Sequence, residues 1–138
     1  MWRIELLPWE SARPQAEPIR LAVFVEEQRV PRSIELDGMD DACVHAVAFE
    51  GEVAVGTGRL LPDGHIGRIA VLRQWRGRGI GSGILERLIE KARERGDREV
   101  ALSAQVHAAG FYRAHGFVEQ GGEYLEAGIA HQAMRRAL

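Results

Sequence analysis

Cysteine is nearly missing from this chain: Cys43 is the only one in 138 residues. A single thiol cannot close an internal disulfide, and no multi-cysteine zinc site can be built from it. It lies in the apolar run ACVHAVAF at 42–49 and reads as an inert core thiol. Long apolar runs are missing too, since none approaches the roughly 18 residues that mark a membrane span. The opening MWRIELLPWE has neither a basic start nor a long apolar stretch. No secretory signal is visible there, and the expected location is cytoplasmic. Charge of one sign is also not in excess. The 18 Lys and Arg against 20 Asp and Glu give a net charge of −2, with a pI of about 6.2. No global field draws such a protein to nucleic acid.

What is present is ordinary for a soluble globular protein: 46% apolar and 28% charged residues. The expectation is one domain over 1–138, with a core large enough to stand without metal or disulfide. Strands are predicted at 2–7, 44–50, 52–61 and 65–72, with a tight turn at Glu50-Gly51. Pro14 and Pro18 open a helix that runs to about Gln28, where Pro31 blocks it. This helix is apolar on most sides, which predicts deep burial. Residues 32–42 form an acidic loop. Ile80, Ile84, Leu85, Leu88, Ile89 and Ala92 share one face of a helix that ends at Gly96. Val100, Leu102 and Ala104 alternate as a strand, a short helix follows at 107–115, and 117–138 should hold two more strands around Gly121-Gly122. This order predicts an α+β sandwich, with helices on both faces of one mixed, largely antiparallel sheet.

The most informative stretch is HIGRIAVLRQWRGRGIGSG at 65–83. An apolar strand meets a loop with glycines at 77, 79, 81 and 83 and arginines at 73, 76 and 78, and a helix follows directly. The first N–H groups of a helix have no partner within it, and the macrodipole adds positive character there. Such a place suits a phosphate or pyrophosphate. With Arg68, the loop arginines suggest a focused anion site. The Walker ending Gly-Lys-Ser/Thr is lacking. The dinucleotide pattern fails as well, because Ser82 and Ile84 stand where its last glycine would be.

Arg76-Gly77-Arg78-Gly79-Ile80-Gly81 resembles the Q/R-x-x-G-x-G/A signature of the GNAT acetyltransferase superfamily. A second stretch, AQVHAAGFYRAHGF at 104–117, is similar to that superfamily's N-x-x-A-x-x-F-Y…G-F element. Gln105 stands in place of the asparagine, while Ala108, Phe111 and Tyr112 match. EEQRVP at 26–31, ELDGMD at 35–40 and GIAHQAM at 128–134 resemble the ElaA/YjcF-like branch. Arg73 where proline is frequent, Arg76 for glutamine and Gln105 for asparagine are modest departures.

The resemblance implies a GNAT-like sheet of about six to seven strands and acetyl-coenzyme A as co-substrate, with no metal. The pyrophosphate would rest on Arg76, Gly77, Arg78, Gly79, Gly81 and Ser82. Backbone N–H groups of Ile69, Ala70 and Val71, on a strand that splays from its neighbour, would hold the pantetheine arm and the thioester oxygen. Tyr112 would protonate the departing thiolate, since a phenol is a proton donor at neutral pH. The general base stays open among Glu27, Glu35, His107 and His131. The implied partner is a small-molecule or peptide amine, with no nucleic acid and no membrane, and a homodimer is left open. The carboxylates of 35–41 would either attract a cationic amine or form a solvated loop. Two function classes follow: an N-acetyltransferase, or a catalytically weak domain that binds acetyl-coenzyme A as a sensor or interaction module.

Overall fold

A computed structural model describes all of residues 1–138. Strands β1 (Trp2–Leu7), β2 (Val44–Glu50), β3 (Val53–Leu60) and β4 (Ile66–Val71) form one antiparallel sheet in that order. Four helices accompany the strands: α1 (Trp9–Arg20), the single turn α2 (Arg32–Glu35), α3 (Ile80–Glu94) and α4 (Ala109–Ala114). The central strands need cover on both faces, and β2 shows why. Side chains alternate across a strand; Ala46 and Ala48 enter the main core, while Val47 and Phe49 enter a second cluster on the opposite face. α1 covers that second face with Trp9, Ala12 and Ala16. On the main face, α3 buries all six residues of its apolar stripe, at about 1.5–3 kcal/mol for each large aliphatic side chain.

The second sheet contains β5 (Glu99–Gln105), β8 (Ile129–Ala137) and β6 (Val118–Glu119) in that order, and β7 (Tyr124–Glu126) also pairs with β8. All of its ladders are antiparallel. The α+β fold class expected from the element order is therefore present, with two differences in detail. Eight strands form instead of six to seven, because the last segment folds back through three strands rather than two. They make two hydrogen-bonded sheets rather than one. The sheets meet only at a parallel bridge between His65 and Ala101, which gives the assembly its mixed character.

The first helix also differs from expectation. It begins at Trp9, and both Pro14 and Pro18 lie inside it. A proline removes the bond to the carbonyl four residues back, but both prolines are on the exposed side of the helix. The helix then widens into a π-type stretch over Leu21–Glu27. Only Val23 is fully buried there, and Phe24 and Val25 are half-buried. Phe24 borders a cavity. Within the expected loop 32–42, α2 and a turn at Asp40–Ala42 are ordered.

Candidate active site

The joint between the sheets shapes the site. Ala101 donates its N–H to the Gly64 carbonyl at 3.1 Å, and the two sheets touch there. Beyond that point no bridge joins β4 to β5, so the strands part and leave a notch. Glycine is needed at the joint. Gly64 has φ +93, and a Cβ there would lie 3.0 Å from the Glu99 carbonyl oxygen.

A β-bulge distorts β4 inside the notch. Thr57 pairs with Ala70 and Arg59 with Gly67, so Arg68 and Ile69 together face Gly58. Arg68 takes φ 52 at that place, an uncommon conformation for a residue with a side chain. Past the bulge, Ile69, Ala70 and Val71 have no partner strand on the β5 side. A cavity of about 560 Å³ fills the notch, walled by Arg68 and Ile69 of β4, Gln105 of β5, Phe24 and Gln28 beneath α1, and Tyr112 of α4.

The glycine loop lies where β4 leads into α3. Gly77 and Gly79 have φ +77 and +82, and Gly79 caps the helix. The first backbone bond of α3 runs from the Gly83 N–H to the Gly79 carbonyl at 3.0 Å. The N–H groups of Ile80, Gly81 and Ser82 are thus left without a backbone acceptor. A Cβ at Gly77 would meet nothing within 4 Å, so the loop offers an open cradle of donors that fits a pyrophosphate. Gly83 serves packing instead, because a Cβ there would come within 2.6 Å of the Trp2 ring. Its bare backbone lets α3 lie close against β1.

The arginines read as one anion site are dispersed. Arg76 donates to the Val71 carbonyl at 2.8 Å and grips Glu27 with both terminal nitrogens. This contact holds the Glu27 carboxyl below its ordinary pKa and ties the loop to the π-type stretch. Arg73 is also near Glu27, at 3.8 Å. Arg78 lies over the Trp75 ring at 4.6 Å. Arg68 points elsewhere, into a cluster with Glu35 and Asp37.

That cluster explains the acidic loop. Buried Arg20 binds Glu35 and Asp40, and buried Arg59 binds Asp37 and Asp40. Burial alone would raise both aspartates, yet Arg59 at Asp37 and Arg20 at Asp40 hold their carboxyls below the usual range. Three of the four expected carboxylates are therefore committed to arginine. Glu35 is 2% exposed and locked to Arg20, and Glu27 is engaged by Arg76.

Tyr112 lines the cavity, edge-on to Phe111 at 5.0 Å and to Phe117 at 6.0 Å. Burial pushes its phenol up to about 12. Phe111 lies beside Gly81, so α4 reaches the glycine loop with one aromatic and the cavity with the next. Ser82 Oγ meets His115 Nε2 at 3.0 Å, and His115 Nδ1 meets Glu86 at 2.6 Å. Sequence reading did not single out His115; its only signal was the i, i+4 spacing of Ser82 and Glu86 on α3. Gln105, in the asparagine position, donates to the Gln28 side chain at 2.7 Å.

Three histidines border the cavity: His65 and His107 are exposed, whereas His131 is 7% exposed. His131 Nδ1 is 2.7 Å from the Ile129 carbonyl. A carbonyl can only accept, so Nδ1 carries the hydrogen and Nε2 of the neutral ring keeps its lone pair. Nε2 lies 3.4 Å from Glu126. Cys43, away from this site, is buried, and burial pushes its thiol pKa upward.

A splayed two-sheet fold with a bulged strand, a glycine-capped helix and a cavity between the sheets defines an acyl-transferase class of protein. The family profile described as acetyltransferase (GNAT) domain matches residues 11–138, and the chain belongs to that family. It is 38% identical to the uncharacterized N-acetyltransferase YjcF of Bacillus subtilis (strain 168), over 86% of this chain and 87% of the relative. Two solved structures superimpose over nearly the whole molecule. ElaA of Escherichia coli is 29% identical, with a TM-score of 0.87 and 99% of each chain covered. An acyl-CoA N-acyltransferase of Pseudomonas aeruginosa is 32% identical, with a TM-score of 0.85 and again 99% of each chain covered. The chain is thus similar to both the ElaA and the YjcF proteins, as the branch resemblance implied.

Proposed function

We propose that this GNAT acetyltransferase moves acetyl from acetyl-coenzyme A to a primary amine by direct attack, with both substrates held together in the notch. The observation that carries the reading is the placement of Tyr112, a half-buried phenol on the wall of the cavity that Ile69 also lines. The similar Pseudomonas protein's description as an acyl-CoA N-acyltransferase supports the choice of donor.

Acetyl-coenzyme A supplies an activated acetyl group as a thioester. The protein would hold it in two places. Free N–H groups of Ile80, Gly81 and Ser82, reached across side-chain-free Gly77 and Gly79, would take the pyrophosphate, with Arg78 at the rim. Arg76 would act mainly by fixing the loop, since Val71 and Glu27 already engage its guanidinium. Backbone donors among Ile69, Ala70 and Val71 would face the thioester oxygen, where one preorganised donor is typically worth about 3–4 kcal/mol.

The proton steps fall to two side chains. Tyr112 keeps its proton at neutral pH and gives it to the thiolate as the acyl group leaves. His131 receives a proton from the attacking amine at Nε2, and the Glu126 carboxylate stabilises the imidazolium that results. Its fixed tautomer favours it over Glu27 and Glu35, which are consumed in ion pairs. The sensor reading needs no proton-transfer groups, whereas Tyr112 and His131 both line the cavity.

Thiol release from acetyl-coenzyme A, followed across a panel of primary amines, tests this function. Amine-dependent release with a matching acetylated product is expected, and His131→Gln should lower turnover by about 10²-fold. Tight binding of acetyl-coenzyme A with no release for any amine would favour the sensor instead.

A further inference from the structure

Arg68 differs from the other two arginines of the buried ionic cluster. Every terminal nitrogen of Arg20 and Arg59 donates to an acidic residue. Arg68 has only long contacts through Nη2, at 3.2 Å to the Glu35 carbonyl and 3.4 Å to the Ile34 carbonyl and to Asp37. Its Nη1 donates to nothing in the protein and is open, whereas Nε is inaccessible and unpartnered, 3.9 Å from Glu35. The guanidinium borders the cavity. Burial and the neighbouring Arg59 charge pull its pKa below the ordinary arginine value, whereas the carboxylates that hold Arg20 and Arg59 raise theirs.

The backbone singles out the same residue. Arg68 occupies the bulge of β4 at φ 52, a strained conformation of the kind that clusters at functional sites. The bulge puts a cation immediately before Ile69. The other charged or titratable groups lining the cavity are Glu35, Asp37, Arg59, His65, His107, Tyr112, Glu126 and His131. Glu35 and Asp37 are bound by Arg20 and Arg59, and Glu126 lies beside His131. Arg68 therefore offers the cavity a cationic edge for which the protein provides no full partner.

We propose that the acceptor is an amine that also bears a carboxylate a few bonds away, as an amino acid does, and that Arg68 receives this carboxylate. The end-on edge Nη1/Nη2 suits two carboxylate oxygens, with Nη2 giving up its long contacts. An amine held by such a short tether lies beside Ile69 to Val71, where the thioester would be. This inference rests on the proposed acetyl transfer and specifies its acceptor.

Matched pairs of amines test it without altering the protein: tyrosine against tyramine, histidine against histamine, lysine against cadaverine. With acetyl-coenzyme A saturating, at least one carboxylate-bearing member should be acetylated with kcat/KM about 10–100-fold above its decarboxylated partner. Arg68→Gln should erase that ratio, mainly through KM, and Arg68→Lys should restore part of it. The melting temperature of each variant checks folding. Equal or better use of the decarboxylated members overturns the proposal. So does the absence of transfer to every member when calorimetry shows acetyl-coenzyme A bound. A protein that does not bind acetyl-coenzyme A refutes the acetyl-transfer reading itself, and this proposal with it.

Discussion

Tyr112 and Phe111 are adjacent in sequence yet serve different surroundings. Phe111 is 36% exposed and flanks Gly81, whereas the Tyr112 hydroxyl is set in a wall of the cavity where its proton is retained. Tyr112→Phe preserves the ring and its edge-on packing while removing only the hydroxyl proposed as the acid. Turnover should fall on the order of 10²–10⁴-fold, with little change in KM for acetyl-coenzyme A, because the group acts only as the bond breaks. Melting temperature should move little as well, since no hydrogen bond contributes to the shift of this phenol. Steady-state kinetics and thermal unfolding of the same variant check this. Near-normal turnover would assign the proton to water or another residue.

At the scale of elements, the notch depends on how β4 and β5 meet. Gly64 is the contact point, and Gly64→Ala would combine a positive φ with a Cβ 3.0 Å from the Glu99 carbonyl. The expected cost is about 2–4 kcal/mol, from backbone strain and a clash with rigid main chain. Urea unfolding measures it, and a loss under about 0.5 kcal/mol would show that the joint tolerates separation. Sequence made much of this architecture legible. The six-residue apolar stripe of α3, the period-two strands and the glycine loop all rest on local periodicity and turn chemistry, and each forms close to where it was expected. What stayed hidden depends on long-range partners. Nothing local told that Glu35, Asp37 and Asp40 would be neutralised by Arg20, Arg59 and Arg68, because those partners come from α1, β3 and β4. The bulge at Arg68 was equally invisible, since a register shift belongs to a pair of strands. Pro14 and Pro18 misled about the start of α1 because their tolerance depends on which helix face meets water.

Across the whole molecule, three groups link folding to pH: buried His45 and Asp40, and the more exposed Asp37. Burial pushes His45 below its ordinary value of 6.5, so the folded state refuses a proton that the unfolded chain accepts. Stability should therefore begin to fall as pH drops below about 6.5. Asp37 and Asp40 are held below their ordinary value of 3.8. Their contribution is complete above about pH 4 and is lost as pH falls further. Melting temperature followed from pH 8 to pH 3 should be level at first, decline below about 6.5, and drop more steeply below about 4. A flat profile down to pH 3 would mean that the ionic cluster under the cavity does not hold the fold together.

The central claim is that the molecule is built around acetyl-coenzyme A, with the pyrophosphate on the N-terminus of α3. Calorimetric titration of acetyl-coenzyme A into the wild-type protein and into Gly79→Leu tests it most directly. Gly79 stands at φ +82, its Cβ direction open except for the Trp2 ring at 4.0 Å, so leucine would fill the cradle. One-to-one binding in the wild type and no measurable binding in the variant, with its thermal unfolding still cooperative, is the predicted result. Undiminished affinity in Gly79→Leu would contradict the account.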